Sequence, residues 1–262
     1  MKKLLIASIA SFALTAGAAQ AADMSMPLKA PMAPAPVWSW TGFYFGGGFG
    51  YGMYDLGTTP VGAAGPLVGT FDNGGHGWTG QVKVGADYQF APGPFGSIVA
   101  GVFADYDPSN LKGNFSTGLA VAPANPVDGP EKITSSWAVG GRIGFLVTPT
   151  VLSYFNGGYT NEHLGGLNAT NFGIAPGGGT LSFAAHNQGG WFTGGGIEAP
   201  VTIVPIKGLF FYTEYRYSYF NATTLPVTTT GILLVAPTGM TVKSNVQTVV
   251  SGLDYRFNWN GH

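Results

Sequence analysis

The chain has 262 residues, a formal net charge of −1, 9% charged residues and no cysteine. An ordinary soluble domain carries about 25% charged residues, so this chain has too little charge to cover a soluble surface of its size. The lack of cysteine excludes disulfides and thiolate metal sites. Basic residues are not in excess, so the chain lacks the excess positive charge that is typical of nucleic-acid-binding proteins, and we expect no nucleic-acid partner.

The N-terminus has the three-part pattern of a secretory signal peptide. Lys2 and Lys3 form a basic start, an apolar run continues to Ala19, and residues 19–21 give an A-x-A cleavage site. The apolar run is shorter than the roughly 20 residues that a membrane-spanning helix needs. We therefore predict a signal peptide at residues 1–22, a flexible Pro/Ala-rich linker at residues 23–37 and a folded domain at residues 38–262.

Alternation of apolar and polar residues with a period of two dominates the folded domain. The clearest case is WTGQVKVGADYQF, in which one parity runs from Trp78 to Phe90 and is apolar, while Lys83 and Asp87 lie on the other parity. This period is typical of strands that have two different faces. Eight segments show it: 40–52, 78–90, 95–106, 136–147, 151–160, 190–199, 210–220 and 247–259.

The charges of these segments all fall on the less apolar face. In the pairs Glu214/Arg216 and Asp254/Arg256, for example, the two charges could have been divided between faces and are not. The nine strand charges are Lys83, Asp87, Asp105, Arg142, Glu198, Glu214, Arg216, Asp254 and Arg256.

Short and long connections alternate strictly between the eight segments. If neighbouring strands are antiparallel, all of the long connections lie at one end of the sheet. The short connections are residues 91–94, 148–150 and 200–209, and the long ones are residues 53–77, 107–134, 161–189 and 221–244.

A sheet with one apolar and one polar face can be arranged in two ways. A secreted soluble barrel or sandwich turns its apolar face inward, whereas an outer-membrane barrel turns it toward lipid. The few charges and the aromatic strand ends favour lipid, and lipid requires a closed sheet with every backbone group paired. We predict an all-β fold, an eight-stranded antiparallel transmembrane β-barrel in the outer membrane; a soluble all-β protein is the alternative.

Five motifs follow one another along the folded domain: WTGFYFGGGFGYG, GGRIGFLV around Arg142, GGGIEAP, YTEYRYSYF and VVSGLDYRFNW. They resemble motifs of the small outer-membrane immunogenic proteins of Gram-negative bacteria, within the OmpA-like class of eight-stranded barrels. The resemblance spans residues 38–259 and departs in two places: Phe103 stands where an inward acid is usual, and Asn260-Gly261-His262 follow the terminal aromatic residue. It implies a structural envelope barrel, with porin-like or haem-binding relatives.

The nine strand charges are the candidate lumen network. Buried charges must be paired, and an eight-stranded barrel is just wide enough for its own side chains to fill. One interpretation is therefore an interior ion-pair network, and the other is a narrow ion pathway gated by these charges.

Three histidines, His76, His163 and His186, fall in or beside the long connections. They are candidates for haem capture, which the family resemblance suggests, or plain exposed polar residues. No HxxxH or HExxH spacing supports a metal site. His163 next to Glu162 also raises the alternative of an embedded lipid hydrolase, although no serine motif accompanies them.

These observations predict a non-enzymatic, structural outer-membrane protein with surface-exposed loops and no cofactor. The alternatives are a small porin and a haem or ligand receptor. Expected partners are outer-membrane lipid, lipopolysaccharide and the barrel assembly machinery, with a monomer favoured. The apolar residues 118–127 and 231–240 fit either strands that continue beyond the membrane or a contact surface for another protein.

Overall fold

The computed structural model describes residues 38–67, 69–92, 96–117, 127–172, 179–230 and 237–258. The predicted signal peptide and linker lie outside these residues. Within them, all elements of regular structure are strands. No helix in this part of the chain is long and apolar enough to cross a bilayer.

The alternating segments all form long strands. These are β1 Gly42–Gly62, β3 Phe71–Gln89, β4 Ile98–Thr117, β5 Val127–Thr148, β6 Val151–Leu164, β9 His186–Pro200, β10 Leu209–Phe220 and β13 Gly239–Asn258. Five short strands lie between them: β2 Gly65–Pro66, β7 Leu167–Phe172, β8 Gly179–Phe183, β11 Thr223–Pro226 and β12 Thr228–Thr230.

The eight long strands close into a ring in the order β1-β3-β4-β5-β6-β9-β10-β13, and β13 pairs again with β1. Every pairing in this ring is antiparallel. Closure leaves no free edge, so the backbone groups of the wall find partners without water. The predicted fold class, an eight-stranded antiparallel barrel, is confirmed.

The wall has the sidedness that the alternation predicted. On β1, Phe43 and Phe45 are about half exposed and Phe49 is 80% exposed, whereas Tyr44 between them is buried. Toward one end of the barrel, exposed aromatic residues face one another across neighbouring strands. This aromatic belt consists of the register pairs Tyr51/Trp78, Tyr106/Trp137 and Tyr159/Trp191.

The strands are longer than predicted, because the alternation continues past the aromatic belt. The predicted long connection 53–77 is mostly strand: β1 runs on to Gly62 and β3 starts at Phe71. The connections 107–134, 161–189 and 221–244 are likewise largely strand. We call this end the extended end and the opposite one the turn end. Of the apolar stretches at 118–127 and 231–240, residues 118–126 and 231–236 lie outside the described residues.

An apolar cluster fills the barrel at the extended end. Its inward side chains, such as Leu56, Leu111 and Phe115, are at most 1% exposed. They keep the inward parity of their strands, so burial of apolar surface explains why pairing continues there. We call this cluster the outer core: Tyr54, Leu56, Leu111, Phe115, Ile133, Leu164, Leu167, Ala169, Leu181, Phe183, Phe220, Leu225, Met240, Val242 and Val246.

The glycines of β1 bring its backbone close to β13. A Cβ on Gly50 would overlap the carbonyl oxygen of Val249 and would lie 2.8 Å from the Cα of Val250. A Cβ on Gly47, which has the opposite parity, would meet only the carbonyl oxygen of Gln81, at 3.2 Å.

We therefore expect Gly50→Ala to impair barrel formation and Gly47→Ala to be mild. The measurement is the fraction of refolded protein that shows the compact, heat-modifiable mobility of a folded barrel on gels. Equal folded fractions for the two variants would contradict the close approach of β1 to β13.

Candidate functional site

The structure places all nine predicted lumen charges inside the barrel. Each is at most 6% exposed, and they come from six of the eight ring strands: Lys83 and Asp87 from β3, Asp105 from β4, Arg142 from β5, Glu198 from β9, Glu214 and Arg216 from β10, and Asp254 and Arg256 from β13. They form three groups along the barrel axis.

Two arginines and two carboxylates form the group nearest the turn end. Arg142 donates from Nε to Asp87 at 2.9 Å, and its Nη1 lies 3.4 Å from Glu198. Arg256 donates from Nη1 to Asp87 at 2.8 Å and from Nη2 to Glu198 at 2.9 Å. Each carboxylate thus contacts both guanidinium groups, and charge-assisted bonds of this kind are the strongest that side chains make. We call this group the four-charge cluster.

Aromatic rings close the space around the four-charge cluster. The guanidinium carbons of Arg142 and Arg256 lie 4.2 and 4.8 Å from the ring centroid of Tyr44. Arg256 also lies 4.4 Å from the ring of Trp40, which packs at a tilt against the ring of Phe210. Cation–π contacts stabilise a desolvated guanidinium, so these rings both seal the turn end and hold the charges.

A lysine and an aspartate form the second group. Lys83 Nζ lies 2.8 Å from Asp254 Oδ2 and 3.1 Å from the ring centroid of Tyr212. The Tyr212 hydroxyl in turn donates to Gln81 Oε1 at 2.8 Å. A Cβ on Gly46 would overlap the Asp254 carboxylate, so the glycine leaves room for this pair.

Arg216 is the centre of the third group. Its guanidinium contacts Asp105 at 3.1 Å, Glu214 at 2.9 Å and Asp107 at 3.5 Å. Tyr154 donates its hydroxyl proton to Glu214 at 2.9 Å. One cation therefore serves three carboxylates in this group.

Phe103, the departure from the family pattern, packs beneath this group. The Arg216 guanidinium lies 5.8 Å from the ring of Phe103 and 4.6 Å from that of Phe192. Asp105, two residues further along the same face, supplies the acid instead.

Sequence reasoning missed several members of the lumen. Asp107 was assigned to a long connection, although it has the same parity as Asp105 and directly continues the pattern. The three inward tyrosines, Tyr44, Tyr154 and Tyr212, were visible only as residues of the polar parity, without the partners that define their roles.

A small cavity separates the Arg216 group from the outer core. Its volume of ≈ 20 Å³ is about that of a single water site. Hydroxyl and charged groups line it, among them Thr79, Asp107, Ser136, Thr160, Glu162 and Arg216.

Two further buried carboxyl groups, Glu131 and Glu162, lie at the outer core and were not predicted. Neither oxygen of Glu131 has a hydrogen-bond partner of regular geometry among the described residues, and Glu162 accepts a bond from Ser244. Burial raises the pKa of Glu131 to about 7, an effect that the adjacent Tyr54 hydroxyl partly offsets. Burial also raises the pKa of Glu162 to about 8; Ser244 lowers it and the charge of Glu131 raises it further.

The three histidines do not converge on one site. His76 lies on β3, with β4 and β5 between it and His163 on β6, and contacts Tyr51 through Nδ1 at 2.6 Å. His163 and His186 are on neighbouring strands but have opposite parities, so they face opposite sides of the wall. Haem capture by these histidines stays a prediction, without support from their geometry.

Glu162 and His163, the residues behind the hydrolase alternative, do not come together either. Glu162 points inward and is 1% exposed, whereas the neighbouring His163 belongs to the outward parity and contacts Asn187 at 2.8 Å. The acid and the histidine that the alternative needs are therefore on different faces of β6.

Comparison with known proteins identifies relatives. No protein-family model matches the chain. The 31 kDa outer-membrane immunogenic protein of Brucella melitensis is 25% identical over 264 residues, which cover 98% of this chain and all of the relative. The 25 kDa outer-membrane immunogenic protein of Brucella canis is 28% identical over 183 residues, covering 61% of this chain and 84% of the relative.

Among solved structures, the outer membrane protein OprG of Pseudomonas aeruginosa is similar with a TM-score of 0.48 and 13% identity, over 84% of this chain and 97% of that one. The sequence relatives confirm the resemblance to outer-membrane immunogenic proteins and the predicted location in the outer membrane.

Removing one of the two arginines from the four-charge cluster should lower the free energy of unfolding substantially. We expect Arg142→Met to destabilise the barrel by roughly 3–5 kcal/mol, because Asp87 and Glu198 would share the single remaining arginine inside a low-dielectric lumen. The measurement is the urea midpoint of refolded protein followed by tryptophan fluorescence. Lys207→Met, at an exposed lysine of the β9–β10 connection, is the control, and equal midpoints for both variants would contradict the role of the cluster.

The buried carboxyls predict that stability falls with rising pH. Both pKa values are raised on folding above the ordinary value of about 4.3, so their contribution is fully present below that pH and is lost as the pH rises through 7 to 8. We expect the thermal midpoint to drop between pH 5 and pH 9, and the drop to shrink in the Glu131→Gln/Glu162→Gln double variant. Asp72→Asn, at an exposed carboxylate, should leave it unchanged; an undiminished drop in the double variant would refute the assignment.

Proposed function

We propose that this outer-membrane β-barrel, a relative of the outer-membrane immunogenic proteins, is a non-enzymatic structural protein of the envelope whose lumen does not conduct. The turn end faces the periplasm in this proposal, and the extended end projects outside the cell. The observation that supports this proposal most directly is that side chains fill the lumen along its length.

The filling has three successive layers of different chemistry. Trp40, with its indole nitrogen donating to the carbonyl of Pro149 at 3.3 Å, covers the turn end. The three ion-pair groups follow, and the outer core occupies the extended end. A hydrated ion would have to break buried charge pairs and then cross an apolar layer, and both steps are costly.

The absence of enzymatic activity is part of the proposal. The inward carboxylates of the three groups are engaged by arginine, lysine or tyrosine, which leaves them poorly placed as acids or bases. The sequence relatives are named as outer-membrane immunogenic proteins, and their names mention no reaction.

A structural role also fits the construction of the extended end. Strand pairing and the outer core hold this region in one shape, and β11 adds a short strand beside β13. A rigid projection of this kind can present the same surface to its surroundings at all times.

Planar-bilayer recording tests the closed lumen. We expect the refolded protein to give no stable stepwise current in 1 M salt, under conditions in which a general porin gives clear steps. A stable current would overturn the proposal if its size or ion selectivity changes in the Asp105→Asn/Arg216→Met variant, which alters the lumen. A current that this variant leaves unchanged comes from a contaminant.

A further inference from the structure

The outer wall carries a row of basic side chains just beyond the aromatic belt. In the strand register, Lys112 of β4 lies directly opposite His76 of β3 on one side and Lys132 of β5 on the other. All three have the outward parity and are exposed. We call these three residues the basic row.

The basic row has no counter-ion in the part of the chain that the structure describes. Neither lysine forms an ion pair there. The nearest outward positions along β4 are the neutral Asn110 and Asn114. Like charges that face each other across strands are destabilising, so the arrangement is unfavourable unless an external anion lies between the lysines.

A third exposed lysine on the wall shows the contrast. Lys243 of β13 lines a groove together with Asp55 and Asp72, and its ammonium lies 5.2 Å from the ring of Tyr219. Two carboxylates and an aromatic ring therefore lie near its charge. Lys112, by contrast, has a histidine and a lysine as its cross-strand neighbours and no carboxylate opposite it.

The position of the basic row indicates where the anion comes from. His76 is two residues beyond Trp78 of the aromatic belt, on the side of the extended end. Aromatic belts lie at the boundary between hydrocarbon and headgroups, so the row reaches the layer of outer-leaflet headgroups. In the outer membrane this layer consists of phosphorylated glycolipid.

We propose that the basic row binds the phosphoryl groups of a lipopolysaccharide molecule packed against β3, β4 and β5. Lys112 and Lys132 supply the charge, and the amides of Asn110 and Asn114 can donate to phosphoryl or sugar oxygens. When Tyr51 donates its hydroxyl proton to Nδ1 of His76, the ring proton is on Nε2, which then serves as a further donor.

The proposal goes beyond the closed lumen and does not depend on it, because the row lies on the outer face of the wall. It does depend on the orientation with the extended end outside the cell. Lipid binding and conductance are therefore separate measurements, and either can fail while the other succeeds.

The test measures binding of diphosphorylated lipid A to the refolded full-length protein in detergent by thermophoresis. We expect the Lys112→Ala/Lys132→Ala variant to bind roughly ten- to thirty-fold more weakly than the unmodified protein. Lys243→Ala and Lys207→Ala, which remove exposed lysines elsewhere, should stay within about two-fold. Heat-modifiable mobility confirms that each variant is folded.

Two further binding measurements identify the ligand. Dephosphorylated lipid A should bind the unmodified protein as weakly as the diphosphorylated form binds the double variant, and inorganic phosphate should not displace lipid A. Undiminished binding by the double variant, or an equal loss in Lys243→Ala, would overturn the proposal. Displacement by inorganic phosphate at the concentration of the lipid would overturn it too, because the site would then recognise soluble phosphate rather than the glycolipid.

Discussion

Burial of paired charges inside a lipid-facing wall is the constraint on which the rest of the barrel depends. The four-charge cluster takes one side chain from every second strand of the ring: Asp87 from β3, Arg142 from β5, Glu198 from β9 and Arg256 from β13. A register slip of one residue in any of these strands would turn its charge toward lipid and leave the partners unpaired. The cluster thus fixes four strands directly, and the intervening strands through backbone pairing.

The intervening strands contribute further inward groups in the same manner. Tyr44 from β1 lies between the two arginines, while Asp105 from β4, Tyr154 from β6 and Arg216 from β10 meet in the third group. Layers built from alternate strands fill a narrow barrel efficiently, since neighbouring side chains on one strand pair do not compete for the same space. Among the described residues, the same filling that fixes the register leaves no open path through the lumen, so stability and the proposed closure have one cause.

The sequence predicted the strands and their faces because a period of two survives wherever one side of a strand meets lipid. It did not predict where the strands end. Beyond the aromatic belt the alternation continues with smaller contrast, so the segment around Leu56 looked like a long connection. Asp107 was missed for the same reason. Partners such as Tyr212 for Lys83 depend on the shear of the closed ring, which no local pattern contains.

The weaker contrast beyond the belt has a physical origin, because the two faces of the wall exchange their surroundings there. On β4 the inward residues change from the charged Asp105 to the apolar Leu111, while the outward residues change from Val102 to Lys112. Side chains keep the same inward or outward parity past the belt, but the surroundings of each face change. Outside the wall, lipid gives way to headgroups and water. Inside it, charged side chains give way to apolar ones. When hydropathy is averaged over a whole strand, the difference between its two faces in one half offsets the opposite difference in the other half. The belt is therefore the level at which one continuous strand changes from a membrane wall into the shell of an aqueous domain, and an uncompensated outward charge just beyond it faces the headgroup layer directly.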